Sequence, residues 1–191
     1  MSVVPHDPNS EHVVLVDEQN QPIGTAPKFD THTGDTPLHR GFSVFLFNSR
    51  GELLLQQRAH GKKTWPLVWS NSVCGHPALS EVSEAAAARR FQDELGLDIK
   101  NIVVILPEYR YRATRDGIVE NEFCPVMVAW SDNEPTLNPE EVEAVRWVAW
   151  PDFVAEVKEF PERYSEWCVE ETLLLDQNEH FQKLFQKHVT S

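Results

Sequence analysis

Two stretches constrain this fold together: Asn71-Ser72-Val73-Cys74-Gly75-His76 and, much further on, Glu120-Asn121-Glu122. Each reads as extended chain, and in a strand alternate residues share a face. Cys74 then lies beside His76, and Glu120 beside Glu122. If the two stretches meet, a thiol, a metal-type imidazole and two carboxylates converge on one pocket. Core packing does not ask for such a set, because burying polar and charged groups is unfavourable unless they are partnered.

With 191 residues, 41% of them hydrophobic, the chain can bury one sizeable core. A single domain is expected over 11–191, preceded by a flexible, polar tail over 1–10. No apolar run approaches the ~18 residues of a membrane helix, and the N-terminus lacks a basic segment followed by an apolar one. Three irregularly spaced cysteines argue against a disulfide framework and point to a reducing cytoplasm. The net charge of −13 argues against nucleic acid or a membrane as partner. It also means that an anionic substrate would need local basic residues and metal ions to reverse the field.

The pattern of elements is mixed. Residues 13–16 read as a short strand, and 42–47 and 52–56 as a hairpin around Asn48-Ser49-Arg50-Gly51. A Trp-rich segment over 65–73 leads into the Cys-Gly-His stretch. Ser80 reads as the N-cap of an Ala-rich helix that stops at Gly96. Strands are expected over 102–106, 109–113, 118–130 and 145–149, with Pro125 marking an edge or bulge. Helices are expected over 153–158 and 162–176, with a last one ending near His188. The sum is an α/β (α+β) fold, a mixed β-sheet sandwiched between helices.

The helix after His76 carries Glu81, Arg89, Arg90, Asp93 and Glu94 before Leu95-Gly96-Leu97. This spacing resembles the Nudix box, a loop-helix motif that holds divalent cations against a diphosphate, in a degenerate form. The pattern expects acids where Arg90 and Asp93 stand. Positions 90 and 94 share a helical face, and three carboxylates there would gather the metal ions that phosphoanhydride hydrolysis needs. One cation beside one acid suits holding a diphosphate and a Mg²⁺ rather than cutting the diphosphate. Arg89 and Asp93 read as a surface i,i+4 ion pair.

His32, His39 and His76 with Glu120 and Glu122 form the donor set of a five- or six-coordinate divalent metal. His6, His12, His60, His180 and His188 read as ordinary polar residues. Cys124 and Cys168 read as small buried hydrophobes.

These stretches, together with Tyr109-Arg110-Tyr111-Arg112-Ala113-Thr114, Gly117-Ile118-Val119-Glu120-Asn121-Glu122, Lys28, Arg58 and Lys62, closely resemble the type I isopentenyl-diphosphate isomerases over roughly 11–150. The resemblance implies interconversion of isopentenyl and dimethylallyl diphosphate. It makes Cys74 and Glu122 the acid/base pair on opposite faces of the alkene, with Tyr111 assisting Glu122. It implies a Mn²⁺, Zn²⁺ or Mg²⁺ ion on His32, His39, His76, Glu120 and Glu122. A further Mg²⁺ on the diphosphate would be held by Glu94 and the Cys74 carbonyl. Lys28, Arg58, Lys62 and Arg90 would contact the phosphates, and Trp167 would face the cationic intermediate. A monomer or weak homodimer is expected.

Shifting an unactivated C=C bond passes through a tertiary carbocation, so it needs an acid, a base, dryness and an aromatic face. Glu122 is the expected acid. Cys74, made more acidic by nearby cations, is the expected base. Trp65 and Trp69 rival Trp167 for the aromatic role. Two other functions compete. A Nudix hydrolase of a nucleoside diphosphate derivative wants acids at 90 and 93 and has no use for Cys74. A non-catalytic metal-binding module would be expected to lack part of the acid/base or phosphate-binding set, and all of it is present.

Overall fold

The computed structural model describes residues 11–189, so the tail expected over 1–10 lies outside the described residues. Its centre is β4 (Phe42–Phe47), buried along its whole length. Phe42, Val44 and Leu46 point to one side and Phe45 and Phe47 to the other, as the twofold repeat of a strand requires. Both faces must therefore be covered. On the first side lies α2 (Ser83–Leu95), through Ala86, Ala87, Phe91 and Leu95. On the second lie α3 (Trp150–Glu159), α4 (Glu166–Asp176) and α5 (Glu179–Val189), through Phe153, Trp167 and Phe181. Each such fully buried Leu or Phe stabilises the fold by roughly 1.5–3 kcal/mol.

The expected mixed architecture holds, with two sheets rather than one. The first runs in the order β2 (Pro22–Pro27), β1 (His12–Val16), β3 (His39–Arg40), β10 (Ile118–Phe123), β9 (Arg110–Arg115). The second runs β12 (Val142–Ala149), β5 (Glu52–Arg58), β4, β11 (Val126–Trp130), β8 (Val103–Leu106). Onto it pair β6 (Trp69–Ser70), beside β5, and β7 (Val73–Gly75), beside β4. A four-residue helix, α1 (Lys28–Thr31), lies between β2 and β3 in the chain. Among the described residues no helix is long and apolar enough to cross a membrane.

The strand expected over 118–130 is two strands in different sheets. Pro125 has no N–H to donate, and its carbonyl accepts instead from Ser43 N at 3.1 Å. The neighbouring chain breaks at the same level, between β3 and β4, where Gly41 N donates to the Phe123 carbonyl at 2.8 Å. Two segments thus cross side by side from one sheet to the other. They pair in parallel on both sides of the break: Glu122 with His39, then Val126 with Ser43.

Ser80 is not the N-cap. It has a φ of 69°, the helix begins three residues later, and Val82 stands at the cap position without a side-chain hydrogen bond. The Glu81 side chain satisfies a nearby donor instead, accepting from Ala78 N at 2.8 Å. The far end follows expectation. Gly96, at φ 63°, closes α2, with its N–H donated to the Gln92 carbonyl. Thr136 N and Asn138 N then donate to the Leu95 and Glu94 carbonyls at 2.7 and 2.9 Å, which ties the loop carrying Glu141 to the helix end.

Replacing Gly96 by alanine imposes a left-handed conformation on a Cβ that would lie 3.2 Å from Thr136 Cβ. The expected result is a loss of about 1 kcal/mol or more in urea unfolding, with α2 still formed by circular dichroism.

Candidate active site

The crossing between the sheets opens into a cavity of about 340 Å³. The two stretches that constrain the sequence meet here, though not as neighbouring strands. Cys74 sits on β7, opposite Ser43 of β4, whereas Glu120 and Glu122 sit on β10, opposite Ala113 and Tyr111 of β9. Their side chains reach each other across the gap, with His76 Nε2 2.9 Å from Glu122 Oε1.

The imidazoles are oriented by backbone. His32 Nδ1 lies 2.9 Å from the Lys28 carbonyl, and His39 Nδ1 2.9 Å from the Pro37 carbonyl. A carbonyl only accepts, so both Nδ1 atoms carry a hydrogen and both Nε2 atoms are turned away from the backbone, towards the cluster. They meet carboxylates there: His32 Nε2 is 3.0 Å from Glu120 and His39 Nε2 3.4 Å from Glu122. His32 Nε2, His39 Nε2 and Glu120 Oε2 are buried without a hydrogen-bond partner. One donor atom from each of His32, His39, His76, Glu120 and Glu122 fits within a 4.8 Å span. Converging donor atoms of this kind, with His32 and His39 held from behind by backbone carbonyls, are compatible with a divalent cation.

Gly41 makes the arrangement possible, because a Cβ on it would lie 1.9 Å from Glu122 Oε2. Burial works to raise the Glu122 carboxyl, but His39 and His76 outweigh it and hold the group well below the usual carboxylate range. Burial lowers His76 to about 3 and keeps it neutral. Burial, with the charges of Glu122 and Glu120, pushes the Tyr111 phenol well up, so it remains a donor.

The expectation that nearby cations acidify Cys74 is not met. Burial pushes its thiol up to about 12. The thiol donates to Asn71 Oδ1 at 3.1 Å and lies 3.5 Å from Ser43 Oγ.

At the other end of the cavity Arg90 and Glu94 share the inner face of α2, 4% and 3% exposed, so they are no surface pair. Arg90 Nε donates to Glu94 Oε1 at 2.8 Å, and Gln56 Nε2 to Glu94 Oε2 at 2.8 Å. Arg90 also reaches Glu141 at 2.7 Å and Glu11 at 3.4 Å. Lys62 pairs with Glu141 and Lys28 with Glu11. Arg58 donates to the Thr64 carbonyl and hydroxyl. Arg89 pairs with Glu81 at 2.9 Å rather than forming the expected pair with Asp93. Trp167 lines the cavity, packed between a tilted Tyr111 and an edge-on Trp65 with ring centroids 5.5 and 5.3 Å away. Trp65 instead donates to Glu166 at 2.6 Å, and Trp69 lies under Arg146, so neither rival faces the cavity.

Apart from the rivals Trp65 and Trp69, every residue that the resemblance assigns to the site thus reaches this cavity or the cluster at its wall. Sequence reasoning missed Glu11, Ser43, Gln56, Glu141 and Glu171. A serine within the apolar run Phe42–Phe47, and a glutamate one turn after Trp167 on a buried face, were the available signals. Glu11 and Glu141 arrive from loops and carry no local signal.

A family model described as NUDIX domain matches residues 37–168. The chain is 49% identical over 159 residues to an isopentenyl-diphosphate Delta-isomerase from Saccharopolyspora erythraea, covering 83% of this chain and 82% of that one. It is 51% identical over 158 residues to one from Kocuria rhizophila, covering 82% and 88%. Among solved structures, DR0079 from Deinococcus radiodurans superposes with a TM-score of 0.67 at 22% identity, over 85% of this chain and 97% of that one, a likeness of fold.

The Gly41→Ala variant is expected to fold but to displace the Glu122 carboxylate. Its affinity for Mn²⁺, measured by calorimetry on chelator-stripped protein, should fall roughly 10–100-fold.

Proposed function

The chain belongs to the isopentenyl-diphosphate Delta-isomerase family of NUDIX-domain proteins, and we propose that it interconverts isopentenyl and dimethylallyl diphosphate. The carrying observation is that Cys74 and Glu122 line one cavity that also gathers Lys28, Arg58, Lys62 and Arg90. Moving the double bond requires one proton to arrive at an alkene carbon and another to leave a neighbouring carbon. At rest the Cys74 thiol is protonated and the Glu122 carboxyl ionised, so the pair begins with one loaded and one empty carrier. Cys74 supplies the proton, Glu122 accepts one, and the reverse reaction exchanges the roles. Tyr111, opposite Glu122 in the β9–β10 pairing, keeps its phenol proton and would assist Glu122.

The Trp167 face stabilises the cation without reacting, and the packed aromatic wall keeps water from trapping it. His32, His39, His76, Glu120 and Glu122 would hold Mn²⁺, Zn²⁺ or Mg²⁺, whose charge offsets the two carboxylates. Glu94 and the Cys74 carbonyl would hold a Mg²⁺ that neutralises part of the diphosphate. Binding of that remote group orients an alkene that offers little else to grip. The inner face of α2 presents a cation where hydrolysis would want an acid, which favours holding over cutting. Three free thiols suit a reducing cytoplasm.

Purified protein given Mg²⁺ and isopentenyl diphosphate is expected to form dimethylallyl diphosphate and release no phosphate; phosphate release without isomerisation would favour the hydrolase. Cys74→Ala and Glu122→Gln should each lower kcat by ~10²–10⁴-fold with an unchanged circular dichroism spectrum. More than a tenth of wild-type kcat in either variant rules out this acid/base pair.

Arg90→Ala should weaken kcat/KM by removing charge-assisted hydrogen bonds to the diphosphate, each worth roughly 1.5–3 kcal/mol. Arg90→Glu should be worse, because it sets a carboxylate against the diphosphate. Wild-type kinetics in Arg90→Glu at saturating Mg²⁺ would remove Arg90 from the phosphate-binding set.

A further inference from the structure

Helix α4 buries an acid that the mechanism above does not use. Glu171 is 0% exposed, one turn beyond Trp167, and it does not line the cavity. Its Oε2 has no hydrogen-bond partner. Burial, then the charges of Glu122 and Glu170, push its carboxyl well above the usual range, while Ser43 and Cys124 hold it back. A carboxyl so placed is a neutral acid, able to donate as well as accept.

From it a line of polar atoms leads to the reacting sulfur. Cys124 Sγ lies 3.9 Å from Glu171 Oε1, Ser43 Oγ 3.6 Å from Cys124 Sγ, and Cys74 Sγ 3.5 Å from Ser43 Oγ. On its other side Cys74 donates to Asn71, whose amide is fixed on the Val44 and Val73 carbonyls at 3.1 and 3.3 Å. Ser43 is therefore the one adjustable neighbour of the thiol in this line. It has a single hydrogen to share among Cys74, Cys124 and Glu171. A carboxylate at 171 would draw that hydrogen inward, and an apolar side chain would leave it undirected. A donor at 171 satisfies the serine oxygen from behind and turns the hydrogen towards Cys74.

Resting on the isomerase reading, we propose that Glu171 is a positioning residue that fixes the Ser43 hydroxyl and, through it, the Cys74 thiol, without touching substrate. The test compares Glu171→Gln, Glu171→Leu, Ser43→Ala and the Ser43→Ala/Glu171→Leu double variant. One readout is kcat and KM for isopentenyl diphosphate. The other is the rate at which iodoacetamide alkylates Cys74 without substrate, with Cys74→Ala as the blank for Cys124 and Cys168.

Glu171→Leu should lower kcat and slow alkylation roughly three- to tenfold, the kinetic weight of one hydrogen bond, with KM unchanged. Glu171→Gln, whose amide still donates, should stay within about twofold of wild type in both. Ser43→Ala should match Glu171→Leu, and the double variant should be no worse than either single one. The proposal is overturned if Glu171→Gln is as damaged as Glu171→Leu, if the losses multiply in the double variant, or if alkylation is unchanged. Should Glu171→Leu not fold, an unchanged alkylation rate in Ser43→Ala overturns it alone. A wild-type protein that does not isomerise would defeat the functional reading, while the alkylation rates would still judge Glu171.

Discussion

Everything at the site depends on the passage of two adjacent chain segments from one sheet to the other. At that level one segment needs Gly41, because the Glu122 carboxylate occupies the space of a side chain there. The other needs Pro125, whose missing N–H ends one ladder while its carbonyl starts the next. Sheets tolerate such a break only where the freed backbone groups find partners, and here the two segments satisfy each other. The gap left between the sheets is where polar side chains can meet without disrupting either core.

The electrostatics of the gap follow from its dryness. Burial alone raises a carboxyl and a thiol and lowers an imidazole. Cys74 and His76 obey that rule, whereas Glu122 departs from it because two imidazoles press on one carboxylate. Two groups on one cavity are thereby driven to opposite protonation states, the arrangement that lets a single site give and take a proton.

What the sequence makes visible is what rests on short-range pattern. The β4–β5 hairpin, the Gly96 stop and the alternation of Cys74 with His76 all come from local periodicity and backbone preference. The His/Glu cluster and the cations stand out because those residue types in buried company are rare. The second sheet is not legible, since a break at Pro125 looks the same as a bulge until the partner segment breaks beside it. Ser80 misleads because its φ of 69° holds it outside the helix, which starts only at Ser83. Glu11 and Glu141 lie in segments set only by long-range contacts. The state of Cys74 depends on a helix far along the chain, and no spacing rule can report it.

The cations at the diphosphate end are already in company. Lys28, Lys62 and Arg90 each lean on Glu11, Glu94 or Glu141. These built-in counterions turn ligand capture into an exchange, in which a diphosphate gains a contact only as a carboxylate gives one up or takes a metal ion in return. Affinity is then the difference between two sets of ion pairs rather than the sum of one. A strongly acidic protein can in this way keep a basic cleft folded when empty, and still let go of a product that carries the same charge as its substrate.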